Sequence, residues 1–407
     1  MLKDERDLFL KKLKKFEVIY MTYTSFDRVK LALEHKEPDR IPLDIGGAAV
    51  TGINIKVLKK LKKYLGLPET VKLWDKITQL AVSDDDIVKK LEIDVKNVAP
   101  NPPSKSPLTK DLGLQGDHYR LFDEFGIGWQ MPLKSGHYYD LYYFPLKDVE
   151  NPVNVKNYPW PDPLDPNRYL NLKEKAEKVI YEEKKACVLG RMSSGMWENA
   201  MWMMGHEKHF IEMIANPKLV QAVMDKFLEI KMKYWGKALE VVGDNILIIS
   251  EADDLGAQNS LLVSLDLYKK LIWPYHKKLF SFIKKKARSR VYIFFHSDGA
   301  IKEAIPLLIE AGIDILNPVQ VNCRGMDTKI LKKEFGKDLT FWGGSCDNSV
   351  LTHGSSGEVK EETKRRINDL APGGGFIFAP IHVIQSVVPV KNIMAWWEAL
   401  QEFGNYG

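Results

Sequence analysis

Cysteine is scarce in this chain: Cys187, Cys323 and Cys346 are the only three among 407 residues. Three thiols cannot build a disulfide framework, which excludes the small cross-linked secreted folds and suits a reducing cytoplasm. Long apolar runs are missing as well. None nears the roughly 18 residues needed to span a bilayer. The opening MLKDERDLFLKKLKKF carries acids where a secretory signal has an uninterrupted apolar stretch. Net charge is only +5, from 59 basic and 54 acidic residues, and it lies largely on solvated helical faces such as Lys59–Lys63. Without a basic stripe interleaved with aromatics, nucleic-acid binding is not expected. A phosphate loop is absent too, because Gly373–Gly375 precedes an apolar run instead of opening a helix.

What is present is a rhythm. Apolar content of 45% supplies a substantial core, and after Pro166 short apolar runs alternate with segments of helical periodicity. The runs are ACVLGRM, NILIISEADD, RVYIFFHSDG, IDILNPVQ, LTFWGGSC and FIFAPIH, with IPLDIGG (Ile41–Gly47) as an earlier one. Strand-helix alternation with short connections implies a parallel sheet covered by helices. Six or seven such units fit a (β/α)8 TIM barrel better than an open doubly wound sheet. The expected organisation is an N-terminal helical extension over residues 1–24, then one barrel domain over 25–407. A proline-rich, strand-bearing insertion or lid at about 100–166 interrupts that domain. The spacing of Leu and Phe in the extension makes it an amphipathic helix suited to docking, and it leaves a homodimer open.

In a barrel the C-terminal strand ends meet on one face. The residues there are Glu251 and Asp253, His296 and Asp298, Asn317 and Gln320, Cys346, and His382. These are metal-ligating and acid–base types. Each also has a plainer use: a strand-end histidine can be a hydrogen-bonded barrel residue, Asp298 can cap a helix starting at Ala300, and Cys346 can be a buried thiol. Arg191, Asn317 and Gln320 suit a substrate carboxylate or hydroxyl. Trp197 and Trp342, with Met201, Met203 and Met204, suit an aromatic slot, although such stripes also build cores.

Several stretches together resemble the uroporphyrinogen decarboxylase superfamily, in its corrinoid-dependent methyltransferase branch. They are RVKLALEHKEPDRIPLDIGG, DDLGAQNSLLVS, FFHSDG with AGIDILNPVQ, FWGGSCDNSVL, and LAPGGGFIFAPIHVIQSVVPVKNIMAWWEAL. The resemblance implies a (β/α)8 barrel and two departures from the family pattern. The decarboxylases carry arginines near the N-terminus that grip substrate carboxylates, and IPLDIGGAAVTG has none. The methyltransferases bind zinc through a His-x-Cys pair and a later Cys; here His296 matches the first position, Asp298 the second and His382 the third. The expected metal set is therefore His296 and His382 with one of Asp298, Glu251 or Cys346. Glu251, His296, Asp298 and His382 are the catalytic candidates, and Arg191, Trp197, Asn317, Gln320 and Trp342 the substrate-binding ones.

A harder ligand set favours an oxygen substrate over a thiol. The resemblance then implies an O-demethylase: a zinc-dependent enzyme moving a methyl group from a small-molecule donor, a methoxylated aromatic compound, to the cob(I)amide of a separate corrinoid protein. No D-x-H-x-x-G pattern supplies an axial histidine in this chain, so the corrinoid belongs to the partner. The alternatives are a methylcorrinoid-to-thiol or folate methyltransferase and a decarboxylase of a smaller tetrapyrrole.

Overall fold

Six of the apolar runs, preceded by a strand at Val95–Val98 that was not among them, lie side by side in chain order in a computed structural model that describes residues 23–406. The expected N-terminal helix falls almost wholly outside the described residues. The strands are Val95–Val98 (β1), Ala186–Leu189 (β2), Ile248–Ala252 (β3), Tyr292–His296 (β4), Ile315–Asn317 (β5), Thr340–Trp342 (β6) and Phe376–Ile377 (β7). Every neighbouring pair is parallel, and the order never reverses. A reversal is what an open doubly wound sheet would show.

IPLDIGG closes the ring, though not as a full strand. Leu43 makes a single parallel bridge to Phe378, and its carbonyl accepts from the Asp94 amide at 2.8 Å, just before β1. Pro42 has no N–H to donate, and Gly46 turns the chain away at φ +93°. The strand is thus cut to one residue. Helix Ser25–Leu33 seals the N-terminal end of the barrel, where Gly375 N donates to Ala32 O at 3.1 Å.

Both faces of the strands are apolar, as parallel strands covered on both sides require. Val188, Ile248, Phe294, Ile315 and Trp342 pack inside the barrel. Cys187, Ile249, Phe295, Leu316 and Phe341 pack outward, against helices that include Met196–Met204 (α1), Pro217–Val242 (α2) and Ser356–Leu370 (α3).

Two segments stand outside the regular alternation. Residues 53–91 hold helices Ile55–Tyr64 and Asp85–Lys90 separated by the hairpin strands Leu73–Asp75 and Leu80–Ala81. Gly66 at φ +69° and Pro68 stop the first helix. Between β1 and β2 runs a four-stranded antiparallel meander, Lys110–Gln115, His118–Phe122, Gly128–Pro132 and Asp140–Tyr143. Trp129 meets Trp202 edge-on at 5.2 Å, and His137 Nδ1 lies 2.5 Å from Ser386 Oγ, which ties this sheet to the rim. No described helix is long and apolar enough to cross a membrane.

Candidate metal centre at the barrel mouth

Register brings the first pair together. His296 ends β4 directly across from Ala252 on β3 and Asn317 on β5. It shares the inward face with Phe294, two residues earlier. Its Nδ1 lies 2.6 Å from Asn317 Oδ1, while Asn317 Nδ2 donates to the Trp342 carbonyl at 2.8 Å. The second bond fixes the amide, so Oδ1 is the acceptor and Nδ1 carries the proton. The Nε2 lone pair is then left facing Asp254 Oδ1 at 3.8 Å and Asp298 Oδ1 at 3.9 Å. Metal-bound histidines are oriented by this kind of outer hydrogen bond. Burial pushes the imidazole below its ordinary range, against the raising fields of Asp298 and Asp254. A neutral ring is the ligating form.

Asp298 sits on a clamped turn. Its N–H donates to Asp254 Oδ1 at 2.9 Å, Gly299 N donates to Gln320 Oε1 at 2.6 Å, and Ala300 N donates to Ala257 O at 2.8 Å. Gly299 has φ +95°, and a Cβ there would stand 2.3 Å from the Gly256 carbonyl carbon. Only glycine permits this approach. Asp298 does not cap the next helix: its first turn, Lys302–Ala304, is preceded by Ile301 and has no side-chain cap.

His382 arrives on the segment after β7, its ring centre 5.4 Å from that of His296 and its Nε2 3.9 Å from Asp298 Oδ2. One ligand atom from each of His296, Asp298 and His382 lies within 4.8 Å of the others. Asp298 Oδ1 is buried without a hydrogen-bond partner. An unpartnered buried carboxylate oxygen is costly unless something cationic meets it. Two imidazoles and a carboxylate are a fitting donor set for zinc with a position left open.

The other candidates scatter. Glu251 has the outward parity of Ile249 and points into the helical layer, where Lys231 of α2 pairs with it at 2.8 Å and Trp235 Nε1 donates at 2.5 Å. Cys346 is buried against α3, its thiol directed to the Asp347 carbonyl at 3.6 Å and pushed by burial up to about 12. Glu251 misses the cluster because its parity turns it away from the mouth, and Cys346 because it stands past the end of β6, after two glycines of positive φ, Gly343 and Gly344, that take the chain off the strand. Asp253 caps α1, accepting from Glu198 N at 2.8 Å, and holds His276 Nε2 at 2.7 Å. Trp197 is fully buried against His209 and Phe210. Trp342 lies deeper in the barrel, edge-on to Phe294, with its Nε1 donating to Asp44 Oδ2 at 2.9 Å. Asn317 and Gln320 orient His296 and the Asp298 turn. Arg191 reaches the mouth, donating to Ser250 Oγ at 3.1 Å.

Two mouth acids escaped the sequence reading. Asp254 follows the ISEAD run and supports both His296 and the Asp298 amide. Glu198, in the first turn of α1, is buried and accepts from Ser194 Oγ. Burial, then the negative charge of Asp254, holds its carboxyl well above the usual range. The signal for Asp254 was a third acid within four residues at one strand end; Glu198 had none.

A polar, titratable cluster at the C-terminal ends of parallel barrel strands is the layout of barrel enzymes. The family is equally plain. Residues 120–403 match the family described as Uroporphyrinogen decarboxylase (URO-D), and the chain belongs to it. Among solved structures, a methyltransferase from Methanosarcina mazei aligns at TM-score 0.64 with 17% identity, covering 94% of this chain and 99% of that one. That likeness establishes the shared fold. Xylanase 10B from Thermotoga maritima aligns at TM-score 0.34 and 13% identity over 57% of this chain and 80% of its own, too distant to bear on the site. Comparison with curated proteins gave no match.

Proposed function

We propose that this protein is a metal-dependent methyltransferase that takes the methyl group of an O-methyl substrate, a methoxylated aromatic compound, and delivers it to the cob(I)amide of a separate corrinoid protein. The observation that carries this reading is the His296, Asp298, His382 cluster with its unpartnered Asp298 oxygen. The methyltransferase fold neighbour and the family membership are consistent with it. Zinc is the metal such a set suits, and when bound it supplies Lewis acidity toward an ether oxygen. The corrinoid, carried by the partner, supplies the nucleophile.

The protein's own contribution is positional. Asn317 holds His296 with its Nε2 toward the shared site, and Gln320 and Asp254 hold the turn that presents Asp298. Glu198, its carboxyl raised well above the usual range by burial and by the charge of Asp254, stands in the same mouth, where a departing alkoxide or phenolate would need a proton. No cysteine belongs to the cluster, which favours an oxygen donor over a thiol.

The test begins with elemental analysis of the purified protein. It is then mixed with a reduced corrinoid protein and a panel of methoxybenzoates, methanol and methyl thiols. A methylcobalamin spectrum growing with the aromatic ethers, and lost together with zinc in His382→Ala, supports the reading. Absence of metal with no active donor, or activity confined to the thiols, defeats it.

A further inference from the structure

Between the ends of β1 and β2 and the meander lies a cavity of about 1270 Å³ whose wall includes Asn97, Leu121, Arg191 and Met192; the cluster residues do not line it, but the charge of Arg191 reaches His296. Its basic residues sort by partner. The shielded ones are neutralised: Lys62 by Asp84 at 2.6 Å, Lys96 by Asp85 and Glu183 at 2.6 Å each, and Arg168 by Glu124. The wall's remaining basic residues are solvent-exposed lysines, except Arg191. Arg191 is partly buried and has no carboxylate oxygen within 4.0 Å among the described residues; its one side-chain bond is to a neutral hydroxyl. Glu198 lies beyond that distance, and burial raises its carboxyl well above the usual range. A partly desolvated guanidinium without a counter-charge is costly, and its five donors form a fork that matches a carboxylate.

Register gives the distance. Ser250, which Arg191 touches, pairs with Phe294, one inward step below His296 on the adjacent strand. Two residues of rise and one strand spacing put the two levels about 8 Å apart. That is the span of one aromatic ring with groups at opposite positions. Leu121, Phe122 and Met192 line the same cavity as Arg191 and give it an apolar wall.

Deepening the methyl-transfer reading, and resting on it, we propose that Arg191 anchors a carboxylate on the substrate, so that the methyl donor is an aromatic acid carrying its methoxyl across the ring from that carboxylate. The test is equilibrium binding by calorimetry, with no corrinoid present, of 4-methoxybenzoate, 4-methoxybenzyl alcohol and inorganic phosphate. The wild-type protein should favour the benzoate over the alcohol by about ten- to hundredfold, the range a charge-assisted hydrogen bond gives. Arg191→Gln should erase that preference and Arg191→Lys restore part of it. Equal affinity for acid and alcohol in the wild type overturns the proposal even if Arg191→Gln fails to fold, and so does phosphate binding tighter than the benzoate. Because binding is read without turnover, a carboxylate preference with no methyl transfer counts against the transfer reading alone. Transfer from neutral ethers with no preference counts against Arg191 alone.

Discussion

Two polar clusters meet at the ends of β3 and β4 on opposite faces, one buried and one half-open at the mouth, and they are finished in opposite ways. On the outer face Glu251 is saturated: Lys231 bonds both oxygens, at 2.8 and 3.2 Å, and Trp235 adds a third donor. On the inner face His296, Asp298 and His382 turn ligand atoms toward one another with no donor for Asp298 Oδ1. Both contain acids at apolar strand ends. The difference teaches that a buried acid is not by itself a sign of chemistry; an acid left unanswered is. The outer pair locks helix α2 to the sheet, and the inner group is built to be completed by something else.

The largest expected effect would break that contrast outright. Glu251→Ala leaves the Lys231 ammonium buried and unpaired, a change that costs about 3–5 kcal/mol, read as a lower urea midpoint at unchanged slope. Asp298→Ala, measured in metal-free protein, should cost less than about 1 kcal/mol, since it removes an acceptor that is already unsatisfied. Its damage should instead appear as lost metal in elemental analysis. Equal destabilisation by the two substitutions would mean that the inner cluster is structural as well.

Asp44 sharpens the comparison, because it is inward-facing yet closed. Gly47 N, Thr51 Oγ1 and Trp342 Nε1 donate to it at 2.6, 2.7 and 2.9 Å. Burial nonetheless pushes its carboxyl up to about 6, outweighing those bonds. With the folded value above the unfolded one near 3.8, Asp44 contributes its full stability below about pH 4 and loses it as pH rises through 6. A shift of about two units is at most about 3 kcal/mol. The stability difference between wild type and Asp44→Asn should therefore fall between pH 4 and 7. A difference that rises over that window would show that the three donors win and that the carboxylate is comfortable when charged.

How much of this was legible beforehand follows from strand parity. The barrel was readable because apolar runs and helical periodicities alternate after Pro166, and His296, Asp298 and His382 were readable from family positions. The outward sense of Glu251 was not, nor was the early end of β6 at Trp342, which leaves Cys346 off the strand. In a covered parallel sheet both faces are apolar, so the period of two that would have sorted Glu251 with Ile249 is masked. Trp197 was misplaced toward the pocket for a related reason: α1 is buried nearly all round, so its aromatic and Met positions carry no direction. FIFAPIH reads as one strand, but only Phe376–Ile377 pairs as one, and His382 stands on irregular backbone that no periodicity announces. Glu198 joins the mouth through the packing of α1 against Asp253, a contact between residues 55 apart in sequence. Nothing local encodes it.

The smallest effect concerns Asn317, which belongs to neither cluster but decides how well the inner one is set. Its amide is held by the Trp342 carbonyl and in turn holds His296. Asn317→Ala leaves all three proposed ligands in place, so a site that needed only their presence would keep its affinity. If orientation is what the barrel supplies, zinc affinity by chelator competition should drop about ten- to hundredfold, the usual cost of losing an outer hydrogen bond to a ligating histidine. Asn317→Asp should retain more of that affinity than the alanine variant, because a carboxylate still accepts from His296 Nδ1 although it can no longer donate to Trp342. Alanine and aspartate variants weakened to the same degree would locate the role of Asn317 in its bond to the Trp342 carbonyl rather than in its bond to the imidazole.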